Sequence, residues 1–332
     1  MNTTGLPVLL AYDQQLMKQA VIVLFKLKYL TMYRIILSLI LFSILLSCKE
    51  KATVTVTETR DTSGAIIDTV VVKVPTLTKA WESDTVFHTP ESVLFDKSNN
   101  LLYVSNIGGV PPTKKDGDGF ISQVGLDGTI RKLKWATGFD APKGMALMGT
   151  TIYVTDIDRL KAIDTKTGKT INTWRVPGSK FLNDVAVSAD SIVYFTDSDN
   201  TTIHQLRKGK LSVLQGDSAM AGVNGVYVDG NTLMFSGYGS GNVYSMNISD
   251  QSVQQVASNI PNGDGIERYR NGWIVSNWEG EVYHIDDARK VVKILDTKSA
   301  KMNSADIEVI EEQNMLIIPT FFGNRVVAYR FN

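Results

Sequence analysis

The chain has 332 residues, with 34 basic side chains against 34 acidic ones, 43% hydrophobic residues and a single cysteine. That length allows two domains or one large one, and the apolar fraction suits a globular chain with a sizeable core, not a disordered one. The balanced charge supplies no basic field for nucleic acid, and one cysteine excludes an intrachain disulfide framework and any CxxC site.

The first informative segment is Met32-Tyr33-Arg34, followed by an apolar and serine run over residues 35–47 and then Cys48. The run is shorter than the roughly 20 residues needed to span a bilayer and fits the hydrophobic region of a secretory signal. Leu45-Leu46-Ser47-Cys48 resembles a bacterial lipobox, in which the cysteine is lipidated and becomes the first residue of the mature protein. The only cysteine stands at the one place that this chemistry requires, which favours a lipobox over an ordinary signal peptide or anchor. The resemblance implies a lipoprotein signal peptide over 32–48 and an extracytoplasmic protein anchored to a bacterial membrane through Cys48. Each acyl methylene buried there contributes about 0.8 kcal/mol. Residues 1–31 do not fit a signal beginning at Met32 and are expected to be an upstream extension absent from the mature protein. The alternative is a longer anchor through residues 20–25, interrupted by Lys26 and Lys28. The Thr/Val-rich stretch 49–75 is read as a tether, although the alternation Thr53-Val54-Thr55-Val56-Thr57 is also compatible with a strand.

Internal repeats organise the rest. Pro142-Lys143-Gly144-Met145, Leu182-Asn183-Asp184-Val185, Val223-Asn224-Gly225-Val226, Gly263-Asp264-Gly265-Ile266 and Ser304-Ala305-Asp306-Ile307 recur in steps of 40, 41, 40 and 41 residues. A sixth copy, Pro90-Glu91-Ser92-Val93, comes earlier, separated from the next by an insertion at 107–119 rich in Gly, Pro, Lys and Asp. Each copy continues into a second apolar strand, such as Tyr194-Phe195-Thr196-Asp197, then a third and a more polar fourth. Four short strands per repeat of about 40 residues is the pattern of a propeller blade, so residues 76–332 are expected to form one all-β, six-bladed β-propeller. The last copy ends after its third strand, and the segment near 78–83 is expected to supply the missing fourth and close the ring.

Innermost strands of a propeller start near one mouth of the central channel, so Glu91, Lys143, Asn183, Asn224, Asp264 and Ala305 should converge there. Two carboxylates and two carboxamides form a hard-oxygen set suited to Ca²⁺, Mg²⁺ or Mn²⁺, with Zn²⁺ also tolerated. Asn, Asp and Gly are also what tight turns before strands select, but turn chemistry does not ask for Glu91.

These elements resemble the gluconolactonase and regucalcin (senescence marker protein) family. Pro90-Glu91-Ser92, Asn183-Asp184, Asn224-Gly225 and Asp264-Gly265 match its motifs in type and order, over essentially residues 85–330. The resemblance implies a metal held by Glu91, Asn224 and Asp264, with Asn183 beside it, and hydrolysis of a lactone or related ester. Asp264, or a carboxylate beside it, would take the proton from water. Two departures bear on substrate: Phe181 stands where the family usually has an arginine, and the 107–119 insertion lies beside one mouth. Lys143, Phe181 and Asn183 are the expected substrate contacts. His88, His204 and His284 show no ligand spacing. The competing reading is a non-catalytic propeller that binds a glycan, peptide or protein partner on its mouth.

Overall fold

A computed structural model describes residues 55–60, 66–71 and 74–332. The expected extension 1–31 and the segment 32–48 with Cys48 lie outside the described residues. Within the stretch read as a tether, Thr55–Arg60 and Ile66–Val71 pair as an antiparallel hairpin, with Thr55 opposite Val71 and Arg60 opposite Ile66. The Thr/Val alternation is therefore a strand pattern here, because β-branched residues at period two fit a pleated backbone. The Asp61-Thr62-Ser63-Gly64 sequence between the strands is rich in turn-forming residues.

From Leu77 to Phe331 the chain forms six four-stranded antiparallel sheets arranged as the blades of a propeller. Their innermost strands, in blade order one to six, are Pro90–Asp96, Pro142–Met148, Leu182–Val187, Val223–Asp229, Gly263–Tyr269 and Glu308–Ile310. Four single-turn 3₁₀ segments are the only helical elements among the described residues. The ring closes as the sequence predicts. Leu77–Glu82 pairs antiparallel with Val326–Phe331, so the outermost strand of blade six comes from the start of the propeller. This covers an edge that would otherwise offer unpaired backbone groups.

The core lies between blades instead of within them. Six apolar clusters each join two neighbours; the one between blades three and four buries Tyr194, Ile203, Leu233 and Phe235. The closing interface between blades six and one buries Phe87, Leu102, Ile317 and Val326, with Trp81 packed against it. Innermost strands are nearly continuously buried, whereas an outermost strand such as Thr170–Arg175 is almost wholly exposed. That gradient explains why first strands read as apolar and fourth strands as polar.

A chain beginning at Val74 should keep the cooperativity of the propeller, whereas one beginning at Asp84 leaves Val326–Phe331 as an open edge. Losing the half-buried Leu77 and Trp81 should lower stability by about 2–4 kcal/mol in urea unfolding. Identical midpoints for the two chains would contradict ring closure by this strand.

Candidate functional site

Five innermost strands carry one extra residue at their start. The register against the second strand slips between Pro90 and Ser92, Pro142 and Met145, Leu182 and Val185, Val223 and Val226, and Gly263 and Ile266. A bulge sets two residues against one and re-aims their side chains. Each anchor and the residue after it can therefore both serve the channel.

Hydroxyl groups on the second strands hold this geometry. Thr196 Oγ1 accepts from Asp184 N (2.9 Å) in its own blade and donates to Asn224 O (2.8 Å) in the next. Ser236 Oγ accepts from Gly225 N (3.0 Å) and donates to Asp264 O (2.6 Å). Ser276 Oγ accepts from Gly265 N (2.9 Å) and donates to Ala305 O (2.8 Å), and Thr155 Oγ1 donates to Asn183 O. Blade six has Pro319 at this position and no hydroxyl. There the stitch to blade one is Asp306 N donating to Glu91 O (2.9 Å).

With their backbone groups held in this way, the anchors present their side chains to the channel, and none of the five polar anchors is more than 6% exposed. Glu91, Asp264, Asp306 and Asp184 come from four blades, yet they perturb one another electrostatically. Burial, with Asp264 nearby, pushes the Glu91 carboxyl well above the usual carboxylate range; Lys143 opposes the shift. Burial and then Asp306 do the same to Asp264, against a hydrogen bond from the Asn224 side chain. Three buried oxygens, Glu91 Oε2, Asn224 Oδ1 and Asp264 Oδ1, have no hydrogen-bond partner. Asn183 is oriented by Nδ2 donating to Ser198 Oγ (3.2 Å). The four predicted ligands thus occupy equivalent positions of the ring, and three of them carry an unsatisfied oxygen. Among the described residues no three His, Cys, Asp or Glu side chains are placed to hold a metal ion. Any cation here would therefore depend on carboxamide oxygens as well as on Glu91 and Asp264.

Lys143 does not fill this cluster with an ion pair. Its ammonium donates to Pro112 O (3.1 Å) and Ala141 O (3.3 Å) and lies 4.6 Å from the centre of the Phe181 ring. Burial lowers its pKa, against the pull of Glu91. The contact with Pro112 also brings the 107–119 insertion to this mouth, as expected. Ala305 contributes only backbone. His204 stacks on Phe195 at 5.1 Å, and His284 is buried on a third strand, so neither belongs to the ring.

Deeper carboxylates were not assigned a role from the sequence. Asp184 accepts from Val185 N and from Val226 N of the next blade (both 2.7 Å), and Asp306 accepts from Ser92 Oγ (2.6 Å). Half-buried Glu308 accepts from Phe95 N (2.7 Å). Both aspartates fit because the preceding blade has glycine: a Cβ at Gly265 would lie 2.6 Å from Asp306 Oδ1, and one at Gly144 would meet Asp184 Oδ1. The visible signal was that Asp replaces Gly or Ser after the anchor in two blades only. Burial raises Asp306 to about 7 and Glu308 to about 8.

No protein-family model matches the chain, and no curated protein does. Among solved structures it is similar to a gluconolactonase from Xanthomonas campestris, at 17% identity and TM-score 0.61, over 75% of this chain and 88% of that one. Virginiamycin B lyase from Staphylococcus aureus matches at 11% identity and TM-score 0.59, over 77% and 99%. A chain of a nidogen/laminin complex matches at 18% and 0.52, over 61% and 78%. At these identities the likeness is one of fold: the ring has an architecture that a gluconolactonase also uses.

The raised carboxyls have a consequence for stability. Unfolded carboxyls titrate near 4, so between about pH 4 and pH 8 the folded chain holds more protons than the unfolded one. Stability of the cation-free protein should fall as pH rises across that window. Glu308→Gln should flatten the decline, measured by urea unfolding at several pH values; a wild-type profile that rises across the window would contradict the assignment.

Proposed function

We propose that the protein is a divalent-cation-dependent hydrolase of a lactone or related ester, working outside the cytoplasm and tethered to a bacterial membrane through lipid on Cys48. The observation that carries the catalytic part is the trio of buried, unpartnered oxygens on Glu91, Asn224 and Asp264. Hard oxygen donors of this kind suit Ca²⁺ first, then Mg²⁺ or Mn²⁺, with Zn²⁺ tolerated. A divalent cation, when bound, supplies Lewis acidity and lowers the pKa of water. Glu91, Asn224 and Asp264 hold it, and Asn183, fixed by Ser198, stands beside it toward the substrate. Asp264 takes the proton as water attacks the ester carbonyl. Lys143 and Phe181 form the substrate wall on the side of blades two and three. The lipobox-like Leu45-Leu46-Ser47-Cys48 sequence supports the location.

A second reading, a non-catalytic propeller that binds a glycan, peptide or protein partner, is favoured by the low exposure of every polar anchor. Turnover of a panel of aldonolactones and aryl esters, with and without chelator, separates the two. Chelation should abolish turnover. Glu91→Gln and Asp264→Asn should each cost at least about 100-fold in cation affinity by calorimetry, more than the loss of an outer-shell partner costs. Turnover that persists through chelation and both substitutions would contradict the cation-dependent mechanism, and no turnover on any of these substrates would leave the binding reading.

A further inference from the structure

We propose that the substrate is a neutral lactone or ester carrying an apolar group, and that an apolar rim at the channel mouth, formed by Phe322, Tyr238 and half-buried Trp278, receives that group; the proposal rests on the hydrolase reading above. In each repeat one residue turns the corner after the second strand: Ile107, Ile157, Ser198, Tyr238, Trp278 and Phe321. Backbone bonds set these corners beside the anchors. Ile107 N donates to Thr89 O (3.1 Å), Ser198 N to Phe181 O (3.0 Å), Tyr238 N to Gly222 O (2.8 Å) and Trp278 N to Asn262 O (3.0 Å). Each acceptor lies two residues before an anchor: Glu91, Asn183, Asn224 or Asp264. Leu182 N, next to Asn183, donates to Ile157 O (2.9 Å).

Turns at such positions ordinarily select Gly, Asn, Asp or Ser. Here all but Ser198 are large and apolar or aromatic. Ile107, Ile157 and Phe321 are buried together with Ala141 as a base beneath the rim, and Trp278 leans on them, its ring 5.7 Å from that of Phe321. That packing leaves Phe322 beside Trp278 at 5.8 Å and 53% exposed, with Tyr238 at 38%. A rim of this kind above a buried polar ring suits a molecule with a polar head and an apolar body. The magnitudes decide against a polyol: a hydroxyl buried there without a partner costs about 1–3 kcal/mol, while each methylene buried contributes about 0.8 kcal/mol.

The test uses γ-butyrolactone, γ-hexalactone, γ-octalactone and γ-decalactone, with glucono-δ-lactone as the hydrophilic reference. Two quantities are read: kcat/KM with Ca²⁺, and equilibrium binding by tryptophan fluorescence without added cation. Both should rise about fourfold per methylene. Phe322→Ser should flatten that slope, whereas Ile171→Ser, an exposed position on the outermost strand of blade two, should leave it intact. Turnover that does not depend on chain length overturns the apolar rim and leaves the hydrolase standing. Length-dependent binding without any turnover supports the rim and removes the hydrolase. No rise in either quantity, or a preference for glucono-δ-lactone, overturns the proposal.

Discussion

A single hydrogen-bonding device organises this molecule: a Ser or Thr hydroxyl on the second strand of a blade that grips its own bulged strand and the carbonyl of the next blade's anchor. Thr196, Ser236 and Ser276 each make both bonds. Every such bond is buried, so removing a hydroxyl strands a donor and an acceptor together, and a buried polar group without a partner costs about 1–3 kcal/mol. The device occupies anchor backbone groups with structural bonds. What remains for the channel is the side chain, and this separates the part of the repeat that closes the ring from the part that differs from blade to blade.

The channel is built at a cost. Glu91 Oε2, Asn224 Oδ1 and Asp264 Oδ1 are buried without partners. A buried polar oxygen left without a partner costs about 1–3 kcal/mol. Desolvation and mutual repulsion push Glu91 and Asp264 toward protonation, since two buried carboxylates sharing a site resist ionising together. A divalent cation offsets both penalties at once: it gives the orphaned oxygens a partner and stabilises the ionised carboxylates. Lys143 is the other positive charge within reach, but its ammonium is turned to the carbonyls of Pro112 and Ala141. The deeper aspartates face a milder problem, because Val185 N within the strand, and Val226 N and Ser92 Oγ across blade boundaries, donate to them.

Much of this was legible in the sequence, for physical reasons that also mark where the reading stopped. The period of 40 or 41 residues exposed the blades because each must present the same apolar face to its neighbours. The strand near 78–83 could be assigned because an open edge on blade six had to be covered. The anchors were legible because they recur at one place in the repeat. The bulges were not: hydrophobic alternation counts residues and cannot see one that is accommodated without a partner. Asp184 and Asp306 therefore carried no assigned role until the register placed them beside the anchors. The complementarity of Gly144 with Asp184, and of Gly265 with Asp306, runs between blades and has no local signature. The hairpin of Thr55–Arg60 and Ile66–Val71 is ambiguous in sequence, because its β-branched alternation fits a strand while its few large side chains fit a tether.

The central claim is that the ring stitched by these hydroxyls aims three buried oxygens at a cation, and diffraction from crystals grown in millimolar Ca²⁺ tests it directly. The account predicts one ion at the mouth of the channel, with Glu91, Asn224 and Asp264 oxygens about 2.3–2.6 Å away. Finding those oxygens bonded to the Lys143 ammonium or to ordered water, with no ion among them, would contradict it.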